Sequence, residues 1–310
     1  MRIKIIRHCV VTRSMLVLRF FKLERSSLFA SIRRKERLKL FVIAILSLFK
    51  NGVRRLKNEN YICGLHLWCR GYYHWMTEVA PKFVLFNEIV RNGVILLPPD
   101  PPKFMLDSLE LCGLEKFTIM KGNSYVEEMV LIGNGISGHP DPDIIFKFRN
   151  FLINKVPSSG KVYEKVYISR RNAERRKVIN DPEVIEYLRK EQFVCLDLEN
   201  TSLSEQVDIF RSCKILISIH GAGLSNMMFM NEKGSVIEIY PRNDDSVTNP
   251  NPCFLTLSNS MKLSHYYLLS ERGNKLISPN FHTDNVIIDI NELGKTLNLV
   301  YSKTLEKKTN

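Results

Sequence analysis

The sequence predicts an α/β protein built from two Rossmann-like halves, and three observations lead there. Residues 165–239 carry short, almost continuously apolar runs separated by helical stretches of about ten residues, the pattern of a parallel sheet covered on both faces. The chain has 310 residues, and at roughly 100–200 residues per domain that is two domains more readily than one. Pro157-Ser158-Ser159-Gly160, near the middle, reads as the linker between them.

The elements follow in order. Residues 94–97 read as a strand, 101–114 as a helix opened by Pro101 and Pro102 with Gly113 near its end, 117–120 and 129–132 as strands, and 143–155 as a helix. In the second half, 165–169 is a strand, 182–190 a helix capped by Asn180 or Asp181, and 193–196 a strand. Ser202-Leu203-Ser204-Glu205 is a capping box opening a helix to Ser212. Strand 215–219, a glycine turn, helix 224–230 and strand 236–239 complete the pattern. The expected division is a basic segment 1–57, an N-terminal domain 58–156, a C-terminal domain 161–285, and a helix and tail 286–310.

Composition is that of an ordered globular chain, 45% hydrophobic and 25% charged. The net charge of +13 suggests nucleic acid until it is located. Residues 1–57 hold 16 Lys/Arg against Glu24 and Glu36, or +14, which leaves −1 for the rest and argues against a nucleic-acid footprint. The apolar run 40–49 is ten residues long, short of the roughly 20 that span a bilayer. Two readings of 1–57 stand: a basic amphipathic segment lying on an anionic membrane surface, or the first strand and helices of the N-terminal domain with a solvated basic face. Seven scattered cysteines, several in apolar runs, are expected as free thiols in a reducing compartment.

Ligands of open parallel sheets bind beyond the carboxyl ends of the strands. After strand 215–219 comes His220-Gly221-Ala222-Gly223-Leu224-Ser225-Asn226, a glycine turn leading to a helix N-terminus that suits an anion. After strand 165–169 come Arg170, Arg171, Arg175, Arg176 and Lys177, of which Arg170 directly follows the strand end and suits a phosphate. Glu238, in an apolar run, is either a hydroxyl acceptor, as for a ribose, or a structural partner for an Arg. Together these outline a nucleotide diphosphate pocket. NAD fits less well, because Asn226 stands where the dinucleotide fingerprint has its third glycine. In the first half, His74 and Glu78 lie four residues apart in an aromatic run, either a base held in one tautomer or a buried plug. Cys63, His66, Cys69 and His74 are a weak zinc candidate whose spacing matches no common finger.

Tyr72-Tyr73-His74-Trp75 with Glu78 and Pro81, Tyr167-Ile168-Ser169-Arg170-Arg171 with Arg176 and Asn180, and the 220–226 turn followed by Gly234 and Val236-Ile237-Glu238-Ile239 resemble glycosyltransferase family 61 of the bacterial capsular or surface-polysaccharide type, over about residues 61–240. The resemblance implies a GT-B architecture, two Rossmann-like domains facing a cleft, and inverting transfer from a nucleotide-sugar, a UDP-sugar by preference, to a lipid-linked glycan. It implies donor binding by Arg170, Arg176, Asn180, His220, Gly221, Ala222, Gly223, Asn226 and Glu238, with His74 and Glu78 as the catalytic pair. No cofactor is then required, since the nucleotide-sugar is a substrate and no Asp-x-Asp is clear; Asp141-Pro142-Asp143 reads as a helix cap. A cytoplasmic protein on the inner face of the plasma membrane is the expected setting. An inactive nucleotide-binding relative and an NAD(P)-dependent oxidoreductase remain as alternatives.

Overall fold

The computed structural model describes residues 2–199, 201–242, 250–273 and 284–309. The chain divides into two compact α/β units, Met1–Lys155 and Val156–Asn310.

The first unit is built on one mixed sheet. Its strands are β1 (Ile3–Val11), β2 (Val17–Arg19), β3 (Lys22–Leu23), β4 (Arg54–Arg55), β5 (Tyr61–Cys63), β6 (Val94–Leu97), β7 (Phe117–Ile119) and β8 (Ser124–Ile132). Their order is β3-β2-β1-β8-β5-β6-β7, with β4 also pairing β8. The section β8-β5-β6-β7 is parallel, as Rossmann-like units are, and β1 joins it antiparallel to β8. Residues 1–57 are therefore not a separate segment. Ile6 and Cys9 of β1 are buried, and the β1–β8 register runs from Ile3 opposite Ile132 to Val11 opposite Ser124. The helix Arg34–Asn51 packs Leu40 and Ala44 against Leu16, Leu18 and Leu28. The expectation of a boundary at 57/58 was drawn from charge, and β1 carries its charges on exposed positions while Ile6 and Cys9 serve the core.

The second unit has strands β9 (Lys165–Ile168), β10 (Val194–Leu196), β11 (Ile215–Ile219), β12 (Ser235–Pro241), β13 (Ser264–Arg272) and β14 (Val286–Ile287), in the order β10-β9-β11-β12-β13-β14. All but the last pair are parallel. The capping box is present: Ser202 Oγ accepts from Glu205 N (3.2 Å), and the Glu205 carboxylate accepts from Ser202 N (2.8 Å), opening the helix Leu203–Arg211. The terminal helix Ile290–Thr309 lays Leu293, Leu297 and Val300 on the core formed with Tyr167, Val184 and Ile217.

The strand order turns back at β9: the chain runs outward from β9 to β10, then returns to the other side of β9 for β11. In an open α/β sheet such a reversal opens a crevice beyond the carboxyl ends of the two strands that flank it. One local expectation is corrected here. Residues 222–229 form a 3-10 helix, Ala222–Phe229, and not an α-helix beginning at Leu224. All of its residues from Leu224 on are buried, so packing rather than helix propensity sets this backbone.

If β1 is integral to the core, Ile6→Ala will lower the unfolding free energy of the chain by about 2–5 kcal/mol, measured by urea denaturation. An appended segment would leave it unchanged.

Candidate active site

Arg170 and the turn that starts at His220 follow the two strands flanking the reversal. Asp181 fixes the end of β9: it is buried and accepts from Tyr167 Oη (2.5 Å) and Ser169 Oγ (2.7 Å). Arg170, the next residue, lies against Gly221, where a Cβ would come within 3.1 Å of its Nη1. A side chain there would displace the guanidinium by a few tenths of an ångström. Arg176 donates from Nη1 to the carbonyl of His220 (3.2 Å) and holds a left-handed backbone, φ 58°. Such a conformation is costly for a residue with a long side chain, and strain of this kind collects at functional sites.

The two guanidiniums are half-buried, and neither forms an ion pair among the described residues. The Nε of each is buried without a hydrogen-bond partner among those residues. Burial pulls both pKa values down, and the charges of Arg170 and Arg175 add to the effect on Arg176. Two cations concentrated in this way, with donors unspent, form a receptor for an anion. Arg171, by contrast, spends its Nε on Asp197 (2.8 Å) at the surface.

His220 is held from behind. Its Nδ1 donates to Oε1 of Glu238, while His265 Nε2 donates to Oε2 (2.9 Å). Glu238 has no exposed surface. Burial alone would push its carboxyl up, but the two imidazoles together hold it below the ordinary carboxylate value. The ring of His220 is wedged edge-on between Tyr240 and Phe254, with centroids 5.2 and 5.1 Å away.

Three of the expected donor residues have partners within the protein. Glu238 partners two histidines, where the structural alternative read from the sequence was an Arg. Asn226 is fully buried and donates to Gln206 Oε1 (2.8 Å) and Gly223 O (3.1 Å), tying the 3-10 helix to the helix Leu203–Arg211. Asn180 pairs with the backbone of Ile288 through both amide atoms, at 2.9 and 2.8 Å. Arg170, Arg176, His220, Gly221, Ala222 and Gly223 remain together at the end of the sheet.

The first unit holds the second cluster. Pro81 has no N–H to continue an α-helical ladder, and Trp75–Val79 widen into a π-helical turn in which Ala80 N donates to Trp75 O. Trp75 anchors the turn by donating from its buried indole to Ser108 Oγ (2.7 Å). His74 Nδ1 donates to Glu78 Oε2 (2.7 Å), so the neutral ring offers Nε2 as a base. Glu78 is buried, and its other oxygen accepts from Gly138 N (2.7 Å).

Two further residues complete this cluster. His66 Nδ1 accepts from Trp68 N (3.3 Å), which leaves its proton on Nε2, 3.3 Å from Glu78 Oε2. Burial, with Lys82 and His74 beside it, pushes the pKa of His66 well down, so the ring is neutral. Lys82 is buried one turn beyond Glu78, donates to Gly64 O (3.2 Å) and to Asn134 Oδ1, and is pulled down to about 8 by desolvation despite the opposing charge of Glu78. Sequence reasoning passed over Lys82, although His74, Glu78 and Lys82 recur every four residues. His265 leaves no local signal; only the parallel β12–β13 register brings it to Glu238.

The zinc grouping is not assembled. Among the described residues no three His, Cys, Asp or Glu are placed to hold a metal ion. Burial holds the thiols of Cys63 and Cys69 up at about 11 and 12. None of the seven cysteines, all of them described, is in a disulfide. Asp141 caps the helix Pro142–Lys155, accepting from Asp143 N (3.1 Å) and Ile144 N (3.3 Å).

The sequence profile of the family described as Glycosyltransferase 61 matches residues 72–237. The chain is also similar to EGF domain-specific O-linked N-acetylglucosamine transferase. It is 26% identical to the protein of Bos taurus over 152 residues, 46% of this chain and 27% of that one. It is 27% identical to that of Gallus gallus over 125 residues, 39% of this chain and 22% of that one. The chain thus spans less than a third of the length of these relatives.

Removing the carboxylate beneath His220 strands two buried imidazoles, so Glu238→Ala will cost about 3–5 kcal/mol of unfolding free energy by urea denaturation. A carboxylate that served only to hold a ligand would leave stability unaffected.

Proposed function

The chain belongs to glycosyltransferase family 61, and we propose that it transfers a sugar with inversion from a UDP-sugar to a glycan acceptor. The observation that carries this reading is the pair of half-buried guanidiniums, Arg170 and Arg176, which form no ion pair among the described residues and pack at the 220–223 turn beyond the switch point of a parallel sheet. That arrangement suits a diphosphate, whose oxygens take the unspent N–H donors. His220, stiffened by Glu238, lines the same turn.

In the proposed reaction the acceptor oxygen attacks the anomeric carbon as the bond from that carbon to the diphosphate oxygen breaks. The acceptor proton passes to His74 Nε2, and Glu78 stabilises the imidazolium that forms. Arg170 and Arg176 neutralise the charge growing on the departing UDP, a role that needs no metal. This chemistry calls for a GT-B-like arrangement, with the donor on the second unit and the base on the first. N-acetylglucosamine, the sugar in the name of the matched relatives, is the first to test. A role in capsular or surface polysaccharide synthesis fits a lipid-linked acceptor met at the inner face of the plasma membrane, with residues 1–57, at +14, toward the anionic lipid.

The two sites separate by mutation. Arg170→Ala will abolish UDP binding in calorimetric titration. His74→Ala will keep UDP affinity and lower the transfer rate by about 10²–10⁴-fold. Undiminished UDP affinity in the Arg170 variant would sink the donor-site assignment, and full transfer by the His74 variant would sink the base.

A further inference from the structure

A tight turn of the first unit is built from the wrong residues for a turn. The β2–β3 hairpin pairs Arg19 with Lys22, leaving Phe20 and Phe21 as a two-residue loop. Both are left-handed, φ 45° and 55°. Hairpin loops of this geometry favour Asn and Gly because a bulky side chain is strained there. Phe20 and Phe21 are nevertheless 69% and 78% exposed, with the Arg19 guanidinium 5.0 Å from the centre of the Phe20 ring. Neither burial nor backbone preference accounts for two phenylalanines at this tip.

The helix Arg34–Asn51 is apolar on two sides. Its inner side packs into the unit through Leu40 and Ala44. Leu38, Val42, Leu46 and Phe49, spaced by four, four and three residues, form a second stripe, and all four are exposed, Phe49 by 86%. Lys35, Lys39 and Lys50, also exposed, border that stripe. Hairpin and helix meet at a groove lined by Phe21 and Leu38 and by five basic side chains, Lys22, Arg25, Arg34, Lys35 and Arg37, with no acidic residue in its lining.

We infer that this hairpin tip, helix stripe and basic groove form one docking face for an anionic lipid bilayer, with the aromatic tip and stripe entering the interface and the groove seating lipid phosphates. The inference deepens the membrane reading proposed above and is independent of the donor site. Charge complementarity selects the occupant. Apolar side chains bordered by Lys and Arg match the headgroup–acyl boundary of an anionic leaflet. A second copy would bring one basic face against another.

The test is co-sedimentation of the full chain with vesicles of phosphatidylglycerol and phosphatidylcholine, and with phosphatidylcholine alone. The expected result is binding to the anionic vesicles that weakens as salt is raised, and little to the neutral ones. The variants Phe20→Ser/Phe21→Ser, Leu46→Gln/Phe49→Ser and Arg34→Glu/Lys35→Glu are each expected to lower partitioning by about tenfold or more. All three should keep their UDP affinity, which reports on folding and on the donor site separately. Absence of binding to anionic vesicles, or binding that all three variants retain, would overturn the proposal and leave the transferase reading intact. So would light scattering that shows a dimer dissolved by the stripe variant, since a second copy would then own the face.

Discussion

Each unit anchors a histidine on a buried glutamate, and the chemistry assigned to this protein depends on that constraint. Glu78 takes Nδ1 of His74 on one oxygen and faces His66 Nε2 with the same oxygen. Glu238 takes Nδ1 of His220 on one oxygen and Nε2 of His265 on the other. A carboxylate removed from water is stable only when paired, and an imidazole paired through Nδ1 has its tautomer and orientation fixed. In both units the constraint leaves Nε2 of the leading histidine for work. The difference lies in exposure: the side chain of His74 is 27% exposed against 9% for His220. That difference suits His74 to a proton transfer and His220 to shaping a turn.

The second unit places its charges where the fold leaves a crevice. The sheet reverses its order at β9, so the first residues after β9 and β11 flank one opening. Arg170 and Arg176 are concentrated there with no ion pair among the described residues, Glu199 acting on Arg170 only from farther off, and Arg176 adopts a strained backbone in doing so. Structural arginines of the same unit behave otherwise: Arg171 binds Asp197, and Arg272 binds the buried Asp284. Unspent donors beside a glycine turn are a cost in the free protein that a bound diphosphate would relieve.

Much of this was legible in the sequence, and the failures have physical causes. The parallel strands of the second unit read clearly because burial on both faces makes them continuously apolar, as in Ile215-Leu216-Ile217-Ser218-Ile219. β1 was obscured because Ile3 and Ile5 are exposed along with Lys4, Arg7 and His8 while Ile6, Cys9 and Val11 are buried, so no regular apolar alternation marks the strand. Asn180 bonds the backbone of Ile288, and Asn226 bonds Gln206 Oε1 and Gly223 O; polarity near a strand end does not reveal which partner a side chain meets. His265 and His66 depend on register and tertiary packing, which no local pattern encodes. The His74–Glu78 pair was visible from spacing alone, although the π-helical turn that carries it was not.

The most direct test of the account is the crystal structure of the full chain with UDP. The diphosphate is expected within hydrogen-bonding reach of the Arg170 and Arg176 guanidiniums, beside Gly221, with the His220–Glu238–His265 bonds intact. A diphosphate bound elsewhere, with both guanidiniums untouched, would contradict it.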